Sequence, residues 1–267
     1  MLDLILFVMP YIQAAALVFA RPLGFIIVFP MFEWIGLRGM IRNVIAVAIG
    51  LPYVQTVYVG IAGDGIPLDA EFILLLAGKE FLIGAVLGLV LGIPFWAADM
   101  AGAQIDVFRG TSAATVASPT QMSEPMITGA LFSITLVAIF LSMGGLRTVI
   151  GIIYESYEIW PFFEPFPSVT PNLSPVLISI LTQVAYVGLA LGAPILIAMF
   201  LGELALAFTS RFAPQINIFD ATLSLKNIIY LLILPPYMML LTRHYGVDLL
   251  DVGAAGEIIR GLAGDER

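Results

Sequence analysis

Glu203 to Asn217 reads ELALAFTSRFAPQIN, and it closes a run, 165–202, that contains no Asp, Glu, Lys or Arg. A helix that spans a bilayer needs about 20 mostly apolar residues, so this run is long enough to cross one. Glu203 and Arg211 need water or protein partners, because hydrocarbon solvates neither charge. Pro214 disfavours helix at the residue before it. The stretch therefore predicts a helical hairpin at about 176–242, whose tip presents Arg211, Pro214, Gln215, Asn217 and Lys226.

The composition of the whole chain agrees with a membrane-associated protein. The 267 residues are 60% hydrophobic and only 11% charged, and mean hydropathy is +1.03. A soluble globular domain carries about 25% charged residues. Uninterrupted apolar runs argue against a transmembrane β-barrel, whose segments alternate. We expect an all-α, multi-helix membrane-associated fold with about six long helices, from the charge-free stretches 4–20, 22–32, 43–63, 81–98, 125–146, 165–202 and 227–242.

Several classes of function lack support in the sequence. The net charge of −8 offers no basic stripe for a nucleic acid. The chain contains no cysteine and one histidine, His244, so a multi-histidine or cysteine metal site is not expected. No nucleophile–base pair stands out. We therefore expect no enzymatic activity, no cofactor and no metal.

Two features within the apolar segments predict contacts. Gly84, Gly88 and Gly92 repeat every four residues, which puts them on one helix face where another helix can approach closely. Ionisable residues inside or beside apolar segments need partners, from this chain or from another protein. Both signs occur in comparable numbers, so pairing is possible among Arg21, Lys79, Glu80, Asp99, Asp106, Arg109, Glu203 and Arg211.

Residues 99–124 form the least typical segment. They begin with charged side chains and continue, from Gly110 to Ser123, without charge or aromatic ring. The segment is too polar to span a membrane and too apolar for an ordinary charged loop. We interpret it as a pliable loop packed inside a protein cavity, because irregular backbone at membrane depth persists only there. The plain alternative is a surface loop of small residues.

Several of these residues together resemble a known family. The sequence is similar to the export-gate subunit of type III secretion systems, called FliR in flagella and SctT in injectisomes, and the injectisome branch is favoured. The resemblance covers most of 10–240. It rests on Glu203-Leu-Ala-Leu, Arg211 to Asn217, Lys226, Ala20-Arg21 with Pro30, and Gly102, Ile105-Asp106 and Arg109-Gly110.

The resemblance implies a non-enzymatic subunit of an inner-membrane export gate. Its partners are two other small membrane subunits, a switch protein and unfolded secreted proteins; nucleic acid is not among them. The protein is multi-pass, and the assembled gate is raised above the membrane plane. A plug loop near 107–123 corresponds to Val107, Phe108, Arg109, Gly110, Thr111, Ser112, Ala113, Ala114, Thr115, Val116, Ala117, Ser118 and Pro119.

The same resemblance implies contacts for assembly and a simple domain organisation. The assembly residues are Arg21, Asp106, Arg109, Glu203, Arg211, Pro214, Gln215, Asn217 and Lys226. One domain, 1–267, comprises N-terminal helices in 1–175, the hairpin in 176–242 and a charged tail in 243–267.

The alternative function is a small-solute secondary transporter that uses Lys79, Glu80, Asp99 and Glu203 as an ion pathway. Transporter folds often contain inverted repeats, and none is visible here.

Overall fold

The computed structural model describes residues 2–63, 70–110, 126–164, 173–212 and 218–245. Every regular element within these ranges is helical, which confirms the all-α prediction. A 3-10 turn spans Leu51–Tyr53, and a π-helical turn spans Leu241–Tyr245. The helices are α1 (Leu2–Val28), α2 (Met31–Trp34), α3 (Met40–Gly50), α4 (Val54–Gly63), α5 (Ala70–Leu91), α6 (Ile93–Arg109), α7 (Ile127–Ser142), α8 (Gly145–Ile159), α9 (Leu173–Thr209) and α10 (Ile218–Leu240).

Five stretches of the described helices are long and apolar enough to cross a membrane. A sixth results if α7 and α8 count as one span. This number agrees with the predicted six long helices. The five stretches are Val8–Val28, Met40–Ile61, Glu71–Leu91, Ile178–Thr209 and Phe219–Arg243.

The helices divide into two compact units that alternate along the chain. Among the described residues, unit 1 contains 2–93 and 144–180, and unit 2 contains 94–143 and 181–245. The chain therefore enters unit 2 at α6, returns to unit 1 at α8, and enters unit 2 again within α9. The predicted single domain, with N-terminal helices, hairpin and tail, stays a prediction.

Unit 1 is organised by a close crossing of α1 and α5. A Cβ atom on Gly84 would collide with the carbonyl oxygen of Arg21, and one on Gly24 would collide with that of Phe81. Gly88 continues the contact one turn later, where a Cβ atom would lie 2.7 Å from the carbonyl oxygen of Phe25. The glycines thus bring two backbones into contact, as small residues do in membrane helices. Gly92 is buried between the end of α5 and the start of α6.

Unit 2 contains an antiparallel hairpin of α9 and α10 that packs on α6 and α7. The Tyr237 hydroxyl donates to the Leu191 carbonyl at 2.5 Å. A Cβ atom on Gly202 would lie against the Ile229 side chain, so the paired positions run in opposite directions along the two helices. The observed α9–α10 pairing agrees with the predicted hairpin at 176–242, although residues 213–217 at its tip lie outside the described part of the chain.

Some predicted helix boundaries are wrong. α1 continues through Pro22, although proline favours a break or kink; prolines persist in membrane helices when neighbours satisfy the freed carbonyls. Residues 99–109, expected to be loop, form the second half of α6, and Glu155 and Glu158 lie within α8. In α6 and α8, polar side chains lie on faces that are exposed or that pair with another helix. The sequence of these helices therefore lacks a regular apolar pattern.

Candidate functional site

A cluster of buried ions, which we call the Arg21 cluster, joins α1, α5 and α8 in unit 1. Arg21 and Glu80 are both fully buried, and Arg21 Nε lies 2.7 Å from Glu80 Oε2. Arg21 also donates through Nη1 to the Ser156 hydroxyl at 2.8 Å and through Nη2 to the Trp160 carbonyl at 2.8 Å. Its guanidinium carbon is 4.0 Å from the centre of the Tyr157 ring. All sides of the guanidinium are therefore occupied by partners within unit 1.

Lys79 completes this cluster from the next position on α5. Its ammonium nitrogen lies 2.9 Å from Glu80 Oε1. It also donates to the backbone carbonyls of Pro161, Phe162 and Glu164 at 2.8, 2.9 and 3.0 Å. The three N–H groups of the ammonium thus hold the chain that follows α8 against α5. Two cations and one carboxylate give the cluster a net charge of +1, which the carbonyl dipoles offset.

A second group, which we call the Asp106 cluster, joins α6, α7 and α10 in unit 2. It consists of Asp106, Arg109, Thr128 and Tyr230. Asp106 Oδ2 accepts from the Thr128 backbone N–H at 2.8 Å, and Oδ1 accepts from the Thr128 hydroxyl at 2.5 Å. Arg109 pairs with Asp106 Oδ1 at 3.1 Å. The Thr128 hydroxyl is also 2.9 Å from the Tyr230 hydroxyl, and the Arg109 guanidinium lies 4.0 Å from the centre of the Tyr230 ring.

Asp106 acts as an N-terminal cap for α7 although it belongs to another helix. The backbone N–H of Thr128 is one of the donors that the first turn of a helix leaves unpaired. A carboxylate there also interacts favourably with the positive end of the helix dipole. Because Asp106 lies one turn before Gly110 and Thr128 lies just after Met126, the chain leaves α6 and returns to α7 at points that one carboxylate holds together.

The hairpin contributes an ion pair beside this cluster. Lys226 Nζ is 2.8 Å from Glu203 Oε2 and 4.1 Å from the centre of the Phe108 ring. Lys226 is buried, whereas 41% of the Glu203 side chain is exposed. Glu203 therefore has a partner on α10. It does not pair with Arg211, which lies exposed after the last turn of α9.

Burial also affects Asp99, one α6 carboxyl that belongs to neither cluster. It lies near the α6–α7 crossing, where a Cβ atom on Gly129 would be 2.9 Å from Asp99 Oδ1. Removal from water raises the pKa of the Asp99 carboxyl above its ordinary value. Its place beside a glycine crossing identifies it as a packing group within unit 2.

The structure brings together some of the predicted residues and separates others. Arg21, Lys79 and Glu80 meet in unit 1; Asp106 and Arg109 meet in unit 2, as do Glu203 and Lys226. Of the four residues of the alternative ion pathway, Lys79 and Glu80 belong to unit 1, and Asp99 and Glu203 belong to unit 2.

Two corrections concern the predicted loop and hairpin tip. Val107, Phe108 and Arg109 form the last turn of α6, so the predicted plug loop begins no earlier than Gly110. Lys226 lies two turns inside α10 and not at the hairpin tip, because α10 begins at Ile218. Thr111 to Pro119, together with Pro214, Gln215 and Asn217, lie outside the described residues.

Sequence reasoning missed Thr128, Ser156 and Tyr230, the neutral members of the two clusters. Each places a hydroxyl group within or after an apolar run. Such residues are common in membrane helices, where the hydroxyl can bond the backbone of its own helix, so they do not stand out in the sequence. The available signal was the unexplained charge: a buried Asp or Arg requires more donors or acceptors than one opposite charge supplies.

Comparison with known protein families identifies the family of this chain. The model of the family described as "Bacterial export proteins, family 1" matches residues 12–251, which is most of the chain. The chain belongs to this family. As a bacterial export protein of family 1, it agrees with the predicted FliR/SctT membership, and family membership does not support the transporter alternative.

The individual relatives include both secretion-system proteins and flagellar proteins. The export protein is 35% identical over 212 residues to the "Yop proteins translocation protein T" of Yersinia pestis, covering 79% of this chain and 80% of the relative. It is 30% identical over 249 residues to the "Secretion system apparatus protein SsaT" of Salmonella typhimurium, covering 89% and 92%. It is also 30% identical over 219 residues to the "Flagellar biosynthetic protein FliR" of Bacillus subtilis, covering 80% and 81%. The 35% match supports the secretion-system branch.

Proposed function

We propose that this protein is a non-enzymatic core subunit of the export gate of a type III protein secretion system. The observation that carries the proposal is the family match over 12–251, together with relatives whose names denote secretion and flagellar export. In this proposal the gate lies in the bacterial inner membrane, raised above its plane in the assembled complex. Unfolded substrate proteins pass through the pore that the subunits enclose.

The described residues support an assembled rather than a solitary protein. Many large apolar side chains on α9 and α10 are exposed, including Tyr186 at 74%, Phe208 at 65% and Leu232 at 72%. The half-exposed Glu203 lies on the same hairpin, where lipid would leave its remaining acceptor sites without donors. Neighbouring subunits can cover such a mixed face. We propose two small gate subunits as these neighbours.

The hairpin tip is proposed to meet the switch protein that accompanies the gate. Arg211 is exposed at the end of α9 and provides one charged contact. Pro214, Gln215 and Asn217 follow in sequence and would supply a rigid turn with two amide side chains. Arg21, Asp106 and Arg109, which were also expected to contact partners, are instead proposed to act by fixing the geometry within each unit.

The proposed plug loop now runs from Gly110 to about Ser123. Gly110 adopts a backbone conformation with φ of +84° that favours glycine, and a Cβ atom there would lie 2.6 Å from the Leu223 side chain. The sequence after it is uncharged and built of small residues, which gives packing contacts without burying charge. Such a segment suits a seal that must leave and re-enter a pore.

Shortening this loop is expected to open the resting gate to small solutes. Deleting 113–117 removes five residues that would fill the pore, while the ends of the loop remain attached through the Asp106 cluster. We expect assembled complexes with several-fold higher permeability to ions or small solutes, measured in intact cells that carry the complete secretion apparatus.

A matched control is the deletion of 64–68, five residues of the connector between α4 and α5. That variant should remain as tight as the parent. If the 113–117 deletion assembles normally and is equally tight, this loop does not seal the gate.

A further inference from the structure

Tyr230 on α10 is the point at which three helices of unit 2 meet. Its hydroxyl contacts Thr128 on α7, and its ring contacts Arg109 on α6. We propose that Tyr230 is a positioning residue: it registers the last turn of α6 and the first turn of α7 against the hairpin, and so fixes where the chain leaves at Gly110 and returns at Met126. The proposal rests on the proposed function, because its consequence is measured as gate sealing.

The direction of the hydrogen bonds makes the Tyr230 hydroxyl a necessary donor. The Thr128 hydroxyl has one hydrogen, and it donates that hydrogen to Asp106 Oδ1. In the 2.9 Å contact between the two hydroxyls, Tyr230 therefore donates and Thr128 accepts. The result is a continuous chain from the Tyr230 hydroxyl through Thr128 to the Asp106 carboxylate. Each member of such a buried chain strengthens the next, so the loss of the first donor affects all three helices.

The Tyr230 ring supplies the second attachment. The Arg109 guanidinium lies over its face at 4.0 Å while pairing with Asp106 at 3.1 Å. A cation over an aromatic face is attracted by the ring's negative charge distribution, more so when both groups are removed from water. Tyr230 is 4% exposed and the Arg109 side chain is 12% exposed, so both groups are largely removed from water.

Neighbouring residues on α10 repeat the contact with the end of α6. Leu223, Lys226 and Tyr230 are three and four residues apart, which places them on one helix face. Leu223 lies against Gly110, Lys226 lies over the Phe108 ring, and Tyr230 lies under Arg109. One face of α10 thus contacts Phe108 and Arg109 at the end of α6 and Gly110 directly after it. Tyr230 also reaches α7, through the hydroxyl of Thr128.

The test is Tyr230→Phe in the complete secretion complex. This change keeps the ring under Arg109 and removes one hydroxyl. A typical buried hydrogen bond stabilises by an amount equal to about a fivefold change in an equilibrium constant. We expect assembly to persist and the resting leak of small solutes to rise about fivefold.

Tyr237→Phe is the matched control, because Tyr237 lies two turns later on α10 and donates an equally buried hydrogen bond to Leu191. A merely structural loss of one hydrogen bond would affect both variants alike. We expect the Tyr237 variant to stay tight. Equal leakage from the two variants, or tightness of both, would overturn the positioning role.

A second pair of variants keeps the test decisive if Tyr230→Phe fails to accumulate. Thr128→Ser keeps the hydroxyl, whereas Thr128→Val keeps the shape and removes it. We expect leakage from the valine variant and not from the serine variant; equal behaviour of the two contradicts the proposal. If the 113–117 deletion leaks while the Tyr230 and Thr128 variants do not, only the positioning role fails. If the 113–117 deletion also stays tight, the result contradicts the proposed sealing role of the loop itself.

Discussion

Replacing Glu80 with glutamine is expected to lower the free energy of unfolding by about 3–5 kcal/mol, the range seen when one partner of a buried ion pair is removed. Among the described residues, Glu80 is the carboxylate that pairs with both cations of the Arg21 cluster; it contacts Arg21 through one oxygen and Lys79 through the other. Its loss raises the cluster's net charge from +1 to +2. Glutamine offers one acceptor oxygen, and its amide N–H group then faces the second cation.

The effect of Glu80→Gln is measured by denaturant titration of the purified complex and by the amount of protein that accumulates. The control is Glu33→Gln, because Glu33 also pairs with an arginine, Arg38, at 3.7 Å. Both of those side chains are more than three-quarters exposed, so little change is expected. Similar stability of the two variants would show that the Arg21 cluster does not depend on its carboxylate.

Replacing Gly84 with alanine is expected to destabilise unit 1 by about 3 kcal/mol or more, at the upper end of the range for overpacked cores. The added methyl group would collide with the carbonyl oxygen of Arg21, which is backbone and cannot rotate away. α1 and α5 must then separate. Separation also lengthens the contact between Arg21 and Glu80, because both lie at this crossing.

Gly78→Ala provides the control within the same helix. Gly78 lies on the exposed face of α5, and a Cβ atom there has no neighbour within 4 Å among the described residues. Alanine is a better helix former than glycine by about 1 kcal/mol, so this variant should be as stable as the parent or more so. Thermal denaturation of the two variants in detergent checks the contrast. If Gly84→Ala is as stable as Gly78→Ala, the close crossing is not required.

The long apolar helices could be predicted from the sequence, because a charge-free run of sufficient length has few other structures. The hairpin of α9 and α10 follows from two such runs joined near Pro214. The end of α5 is different: the charge-free stretch 81–98 continues across it, yet the helix ends at Leu91 and α6 begins at Ile93. Gly92 alone does not predict the break, since Gly84 and Gly88 in the same run lie within a continuous helix.

The second half of α6 could not be recognised as helix because its polar residues face other helices. Asp106 caps α7 and Arg109 lies over Tyr230, so the face that is normally apolar carries charge. The partners of the buried charges also could not be predicted from the sequence. Arg21, Lys79 and Glu80 were identified as charges that need partners, but Arg21 and Glu80 are 59 residues apart and Arg21 and Ser156 are 135 apart. Only the tertiary fold selects those partners.

The central claim is that this chain functions as one subunit of a multi-subunit export gate. The most direct measurement is the mass of the intact particle after co-expression with the candidate gate subunits from the same secretion system. We expect a single stable complex that contains this 28.8 kDa chain together with those subunits. A chain that purifies by itself as a stable monomer, with no partner in the particle, and moves small solutes when reconstituted would contradict the claim.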